Sequence, residues 1–116
     1  MRKANTRRAH RLEEELMQEL AKIILEKVQD PRLELVTISG VRLNKDYSVA
    51  EVLYTHSAME EKSQEVQEGL ESANGYIRKL LGNKLKLRYV PELRFRWDKF
   101  LEETIYASLE KDNKRD

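Results

Sequence analysis

Residues 35–56 have the sequence LVTISGVRLNKDYSVAEVLYTH, in which two runs rich in Val, Ile, Leu, Thr and Tyr flank a polar tripeptide. β-Branched and aromatic residues favour strands, and a short polar segment between two such runs is typical of a hairpin turn. We therefore predict strands at residues 35–43 and 47–56, joined at Asn44-Lys45-Asp46.

A β-bulge is predicted in the first of these strands. Val36 and Ile38 share one parity, whereas Val41 and Leu43 share the other. Because alternate residues of a strand point to opposite faces, such a switch is typical of one inserted residue. Gly40 stands at the switch and is the expected site of the bulge.

An amphipathic helix is predicted before the hairpin, over residues 7–28. Asn5 or Thr6 can cap its start, and Asp30-Pro31 should end it because proline disfavours helical geometry in the preceding residue. Its apolar side chains recur at three- and four-residue steps, at Ala9, Leu12, Leu16, Leu20, Ile23 and Ile24.

Further helices are predicted after the hairpin. Residues 60–72 form the first, and Ala73-Asn74-Gly75 interrupts it. A second helical stretch follows, whose C-terminal boundary is left open by Gly82, since glycine costs a helix about 1 kcal/mol relative to alanine. Its apolar face comprises Ile77, Leu80, Leu81 and Leu85.

Residues 93–98 alternate between apolar and charged side chains, which predicts a half-buried strand with Leu93, Phe95 and Trp97 facing inward. Residues 100–109 suit a short last helix, and residues 111–116 suit a frayed tail. The resulting order predicts an α+β fold, with one small sheet and helices on one side, in a single domain over residues 1–110.

Composition excludes several classes of protein. Among 116 residues there is no cysteine, so disulfides, thiol catalysis and thiolate metal sites are excluded. No apolar run is long enough to span a bilayer, and no apolar stretch follows the basic N-terminus as in a secretory signal. His10 and His56 have no second ligand at metal spacing, and no phosphate-binding loop, dinucleotide fingerprint or acid–base pair stands out. We expect a soluble cytoplasmic protein without cofactor, small-molecule substrate or catalytic activity.

The charges fall into blocks although the formal net charge is only +1. Residues 1–11 hold five basic and no acidic side chains, and residues 76–99 hold eight basic and two acidic ones. Residues 12–75, between them, hold 6 basic and 14 acidic side chains. If the fold joins the two basic blocks, the molecule has a phosphate-seeking face. The alternative is that each block is ordinary solvated surface.

The first basic block is predicted to grip nucleic-acid phosphates. Cations near a helix N-terminus are unfavourable by roughly 0.3–1 kcal/mol each, which a phosphate partner would offset. The alternative is a flexible basic lead-in, and the following run Glu13-Glu14-Glu15 suits a solvated helical face. The candidate residues are Arg2, Lys3, Arg7, Arg8 and Arg11.

The second basic block is predicted to form the main positive face. The interruption at Ala73-Asn74-Gly75 would offer it the unpaired N–H groups of a helix N-terminus, although most such breaks are simple corners. Tyr76 and Tyr89 flank the block and are plausible base-stacking residues, although core or rim positions are also open to them. The alternative for the cations is solubilising decoration. They are Arg78, Lys79, Lys84, Lys86, Arg88, Arg94 and Arg96.

Three separated motifs resemble those of the bacterial ribosome-binding factor A family. They are Val28-Gln29-Asp30-Pro31-Arg32-Leu33 followed by Val36-Thr37-Ile38, then Ala73-Asn74-Gly75-Tyr76-Ile77-Arg78, and then Leu87-Arg88-Tyr89-Val90-Pro91-Glu92-Leu93-Arg94-Phe95. The resemblance implies a type II KH-like domain, with an Ala-x-Gly kink between two helices in place of a glycine-rich loop. It also implies a cold-adaptation protein that binds 16S rRNA in the immature, free 30S ribosomal subunit and assists its late maturation and 5′-end processing without catalysis.

The residues and the resemblance agree on a basic, RNA-binding monomer. A protein–protein adaptor that docks an acidic partner on the same basic surface stays open as the alternative function.

Overall fold

The computed structural model describes residues 6–57 and 59–101. Two long α-helices and three β-strands make up the regular structure of this part of the chain, with short 3₁₀ turns at Pro31–Leu33 and Met59–Lys62. In chain order the long elements are α1 (Arg7–Glu26), β1 (Val36–Leu43), β2 (Val49–His56), α2 (Ser63–Leu85) and β3 (Glu92–Trp97).

The strands form one mixed sheet in the order β1-β2-β3. β1 and β2 pair antiparallel across the hairpin, whereas β2 and β3 pair parallel because α2 returns the chain to the end where β2 starts. Ile38 lies opposite Tyr54 but Gly40 lies opposite Leu53, so the register shifts between the two pairs. The bulge predicted at Gly40 is therefore confirmed, and it buries Ile38 and Val41 on the same face.

The helices cover one face of the sheet. α1 contacts β1, α2 contacts β3, and the helices also contact each other, which confirms the predicted α+β layers. The core between helices and sheet contains Ala9, Leu16, Leu20, Ile23, Ile24, Leu33, Ile38, Val41, Leu43, Ala50, Val52, Tyr54, Val66, Leu70, Ile77, Leu81, Leu93 and Phe95.

α1 has a side-chain cap at its start, and a backbone hydrogen bond from the Lys27 N–H to the Ile23 carbonyl at its end. Thr6 caps the start, because its Oγ1 accepts a hydrogen bond from the Ala9 N–H at 3.0 Å. The helix ends at Glu26, and Asp30 instead caps the following 3₁₀ turn by accepting from the Arg32 N–H at 3.0 Å. The Arg32 guanidinium, 2.8 Å from the same carboxylate, holds the pKa of Asp30 below its ordinary value.

The interruption predicted at Ala73-Asn74-Gly75 is wrong, because α2 is one continuous helix from Ser63 to Leu85. The Asn74 side chain donates to the Leu93 carbonyl at 3.0 Å, and the half-buried Ala73 packs against the core. These tertiary contacts hold the segment in a helix despite its low helix propensity. Its N–H groups therefore lie in a helix interior, and the expected free helix N-terminus does not form there.

The alternation predicted for β3 is confirmed. Leu93 and Phe95 are buried, and the partly buried Trp97 meets Tyr54 edge-on with ring centroids 5.5 Å apart. Asp98 follows the strand and accepts a 2.6 Å hydrogen bond from Ser39, which ties the end of β3 to the bulge. The last predicted helix, residues 100–109, lies almost entirely outside the described residues, as does the predicted tail.

Candidate nucleic-acid interface

A polar stripe on α2, which begins with Gln67 and Asn74, covers the β3 edge of the sheet. The even-numbered residues of β3 form the backbone hydrogen bonds to β2, and the Glu92 N–H, for example, donates to the Ser48 carbonyl at 2.9 Å. The carbonyls of the odd-numbered residues therefore point away from β2. Gln67 donates to the Phe95 carbonyl at 3.0 Å, and Asn74 reaches the Leu93 carbonyl. Exposed strand edges invite unwanted pairing, and this stripe satisfies the edge acceptors from within the chain.

Gln67 also links the stripe to the core. Its Oε1 accepts a 2.5 Å hydrogen bond from the hydroxyl of Tyr54. Burial of that hydroxyl, with a smaller effect from the Glu71 carboxylate, raises the pKa of Tyr54 to about 12. Gln67 therefore uses both the oxygen and the nitrogen of its side-chain amide to stabilise the fold.

Arg78 extends the stripe to the segment before β3. Its guanidinium donates to the Val90 carbonyl at 3.0 Å and to the Pro91 carbonyl at 3.2 Å. These bonds give Arg78 a structural task that its place in a basic sequence block did not suggest. Its neighbour Lys79 is exposed and forms no ion pair among the described residues.

Residues 84–89, which we call the basic loop, include the C-terminal residues of α2 and present three exposed cations. Lys84, Lys86 and Arg88 form no ion pair within the described part of the chain. Lys86 adopts a left-handed conformation with a φ of 53°, and its N–H ends the helix on the Gly82 carbonyl. Such a conformation is uncommon for a residue other than glycine, so the backbone turns sharply here.

Gly82 allows the basic loop to fold back on α2. A Cβ atom placed on Gly82 would lie 2.7 Å from Val90 Cγ2, closer than side chains normally approach. The partly buried side chains of Leu87 and Val90 pack against the core on either side of the exposed Arg88 and Tyr89. Close packing against Val90 therefore explains why a glycine occupies position 82, near the end of the helix.

Arg94 and Arg96 lie on the face of the sheet that is turned away from α2. Strand alternation places them opposite the buried Leu93 and Phe95, so they do not share a face with the helices. Arg94 lies 3.3 Å from the carboxylate of Glu92, which offsets part of its charge.

A further cation, missed by sequence reasoning, joins this outer face. Arg42 lies opposite Glu51 in β1–β2, and Glu51 lies opposite Arg94 in β2–β3. Applying the parity switch at Gly40 to the rest of the strand would have placed Arg42 outward. The outer face therefore alternates cations with carboxylates, unlike the basic loop.

The N-terminal cations occupy the first turns of α1. Arg7, Arg8 and Arg11 are exposed and form no ion pair with any described residue, and the first turn contains no acidic side chain. Arg2 and Lys3 lie outside the described residues. These three arginines therefore keep the uncompensated charge expected of them.

Glu13 does not belong to a solvated face, which corrects the expectation for that residue, whereas Glu14 and Glu15 are exposed as expected. Its side chain is buried, with 7% of the residue exposed, and accepts a 2.7 Å hydrogen bond from the Leu43 N–H. His10 lies 2.9 Å from the other carboxylate oxygen. Glu13 thus fastens α1 to the end of β1 and positions the N-terminal cations beside the hairpin.

Within residues 6–57 and 59–101, no group of three His, Asp or Glu side chains is arranged to hold a metal ion. Among the described helices, none combines the length and apolarity that a membrane crossing needs.

Comparisons with known proteins agree with this architecture. The family model for ribosome-binding factor A matches residues 8–108. A ribosome-binding factor A from Caldanaerobacter subterraneus subsp. tengcongensis is 44% identical over 96 residues, which cover 82% of this chain and 79% of that protein. One from Nitrosomonas europaea is 40% identical over 101 residues, covering 87% and 86%.

Solved structures extend the likeness to three dimensions. The crystal structure of ribosome-binding factor A from Thermus thermophilus superposes with a TM-score of 0.68 at 33% identity, over 76% of this chain and 93% of that one. A Thermus thermophilus ribosome binding factor A model, fitted into a cryo-electron microscopy map of a 30S complex, gives a TM-score of 0.63 at 35% identity, covering 76% and 91%. The shared fold is KH-like. By sequence and by fold, the chain belongs to the ribosome-binding factor A family.

Proposed function

We propose that this chain is a non-catalytic assembly factor that binds the free small ribosomal subunit through phosphates of its 16S rRNA. The Thermus relative that was fitted into a 30S complex supports the subunit as the target. The finer roles we propose are assistance to late 16S rRNA maturation and to 5′-end processing by other enzymes. We further propose that the chain acts as a cytoplasmic monomer and contributes to growth in the cold.

The observation that carries this proposal is that exposed cations which form no ion pair within the described part of the chain cluster at two places. One set lies at the start of α1 and the other lies along Lys79 and the basic loop. Exposed cations that form no ion pair among the described residues favour phosphate, which RNA supplies at every nucleotide. Arg94 and Arg96 would contribute from the outer face of the sheet, where Glu92 partly compensates the charge of Arg94.

Binding energy alone would do the work of such a factor. A protein that prefers one conformation of the maturing RNA shifts the population toward it, by as much as its affinities for the two conformations differ. If about five phosphates are contacted, the logarithm of the affinity should fall against the logarithm of the salt concentration with a slope of about −3.5 to −4.5. An affinity independent of salt would contradict the phosphate contacts.

Sedimentation with ribosomal fractions tests the proposed target. We expect the chain to migrate with free small subunits and to leave them after RNase treatment. Recovery of the chain only at the top of the gradient, where unbound protein remains, would overturn the proposal. Retention of a protein partner after RNase treatment would instead favour the adaptor function, in which the basic surface docks an acidic protein.

A further inference from the structure

We propose that Tyr89 is a stacking site for one unpaired ribonucleotide base, and that the cations of the basic loop hold the adjoining phosphates. The inference rests on the proposed RNA-binding function and names the kind of RNA that the loop would take. It assigns to a single aromatic side chain a role distinct from the phosphate contacts.

Tyr89 presents its ring to solvent instead of packing it. The residue is 79% exposed, whereas Tyr54 is buried and Tyr47 packs partly against the core. Arg88 Cζ lies 5.5 Å from the centre of the Tyr89 ring, so a cation already occupies a position over one side of the aromatic system. An exposed aromatic ring beside a guanidinium is the combination that proteins use to stack RNA bases.

The backbone that carries Tyr89 is anchored on both sides. Before it, the left-handed turn at Lys86 and the half-buried Leu87 hold the chain against α2. After it, the Arg78 guanidinium holds the Val90 and Pro91 carbonyls. A ring presented from a fixed backbone loses little freedom on binding, which favours affinity.

The charge around Tyr89 selects an anionic ligand. Lys84, Lys86 and Arg88 lie within five residues of the ring and form no ion pair in the described structure. A single-stranded RNA segment offers both a free base face for the ring and phosphates for the cations. Bases in an A-form duplex are stacked on one another, and the narrow major groove does not admit a side chain. The geometry therefore favours an unpaired segment over a duplex.

Equilibrium binding of the full chain to a short single-stranded oligouridylate tests the proposal. The comparison ligand is the duplex that this strand forms with a complementary oligoadenylate. Tyr89→Ala should weaken single-strand binding about 5- to 150-fold, the equivalent of about 1–3 kcal/mol for one stacked base. Tyr89→Phe should bind within twofold of the wild type, whereas Tyr89→Leu, which keeps an apolar side chain without a π face, should behave like Tyr89→Ala. Duplex binding should change little in any of these variants.

Tyr76→Ala is the matched control, because Tyr76 is also exposed, at 49%, but lies on the regular part of α2. Equal weakening by Tyr76→Ala and Tyr89→Ala would overturn the assignment. The assignment would also be overturned if Tyr89→Ala left single-strand binding unchanged, or if the wild type did not bind the single strand. Competition by polyglutamate that is as effective as competition by unlabelled oligouridylate would overturn it as well.

Cosedimentation with small subunits separates this proposal from the proposed function. Failure of the wild-type chain to cosediment overturns the proposed function, whatever the oligonucleotide result. Cosedimentation that persists unchanged in Tyr89→Ala, with unchanged oligonucleotide binding, overturns the stacking site alone.

Discussion

The edge-facing stripe of α2 and the basic loop that follows it are both polar, yet they treat their polar groups in opposite ways. Gln67, Asn74 and Arg78 in the stripe all donate to backbone carbonyls at or just before β3. Lys84, Lys86 and Arg88 in the basic loop form no ion pair with any residue the structure describes. One region therefore stabilises the sheet edge, and the other stays free for a partner.

The difference is sharpest between two adjacent cations. Arg78 binds two carbonyls, whereas Lys79, one residue later, points to solvent without an ion pair among the described residues. Successive helical residues are separated by about 100° around the axis, so one can face the sheet edge while the next cannot. A basic pair in a sequence therefore does not indicate whether its charges are available for binding.

The largest expected effect comes from neutralising the basic loop. Replacing Lys84, Lys86 and Arg88 together with alanine should lower affinity for small subunits by roughly two orders of magnitude in 0.1 M salt, because about three phosphate contacts are lost. The salt slope should become shallower by about 2–3. Filter binding or cosedimentation across a salt series measures both quantities.

The matched control replaces Lys22, Arg32 and Lys62 with alanine, which changes net charge equally. Each of these three side chains lies within 3.8 Å of a carboxylate, so its charge is already partly compensated. If this control weakens binding as much as the basic-loop variant, net charge rather than the loop controls affinity, and the comparison fails.

Arg78→Ala should lower the free energy of unfolding by about 1–3 kcal/mol, because it removes hydrogen bonds from a charged donor to the Val90 and Pro91 carbonyls. Lys79→Ala should change it by less than about 0.5 kcal/mol, as expected for an exposed side chain. Urea denaturation of the two variants measures the difference. Equal stabilities would show that Arg78 is as free as its neighbour.

Gly82→Ala should destabilise the protein by about 1 kcal/mol, because the strain of the contact with Val90 outweighs the helix propensity gained. In a Val90→Ala background the contact is relieved, and the same change should stabilise the protein by up to about 1 kcal/mol. Thermal melts of the four proteins in this cycle measure the coupling. A coupling near zero would mean that the basic loop does not depend on the close approach.

The smallest expected effect concerns Asp30, which forms an exposed ion pair with Arg32 and so uses its charge within the fold. Because the pairing lowers the folded-state pKa of Asp30, its stabilisation is present above the unfolded-state value and is lost as pH falls through the lowered value. Asp30→Asn keeps an oxygen that can accept from the Arg32 N–H but removes the charge. Its deficit in unfolding free energy should be visible at about pH 6 and vanish in strong acid; a deficit that is constant with pH would assign the effect to geometry.

Much of the fold could be predicted because periodicity is local. The steps from Ala9 to Ile24 predicted α1, and the parity change around Gly40 predicted the bulge. The break at residues 73–75 was predicted wrongly, since the contact that keeps the segment helical comes from Leu93, far along the chain.

The candidate site was less predictable than the fold. Exposure and pairing of a charge depend on which residues the fold places beside it, and sequence spacing does not contain that information. Glu13 resembled its solvated neighbours until the end of β1 placed an N–H beside it. The outward position of Arg42 could be predicted only by taking the bulge at Gly40 into account.

The amino-acid sequence by itself determined the family, the α+β layers and the presence of two basic blocks, because these depend on composition, order and short-range periodicity. Only the tertiary structure decided which cations are engaged and which are free. In the folded chain, Arg78 donates to the carbonyls before β3, and Arg94 and Arg96 lie on the outer face of the sheet. Arg88 and Tyr89 are exposed. The physical reason is that hydrogen bonds and ion pairs require partners within a few ångströms, and folding alone brings distant residues that close.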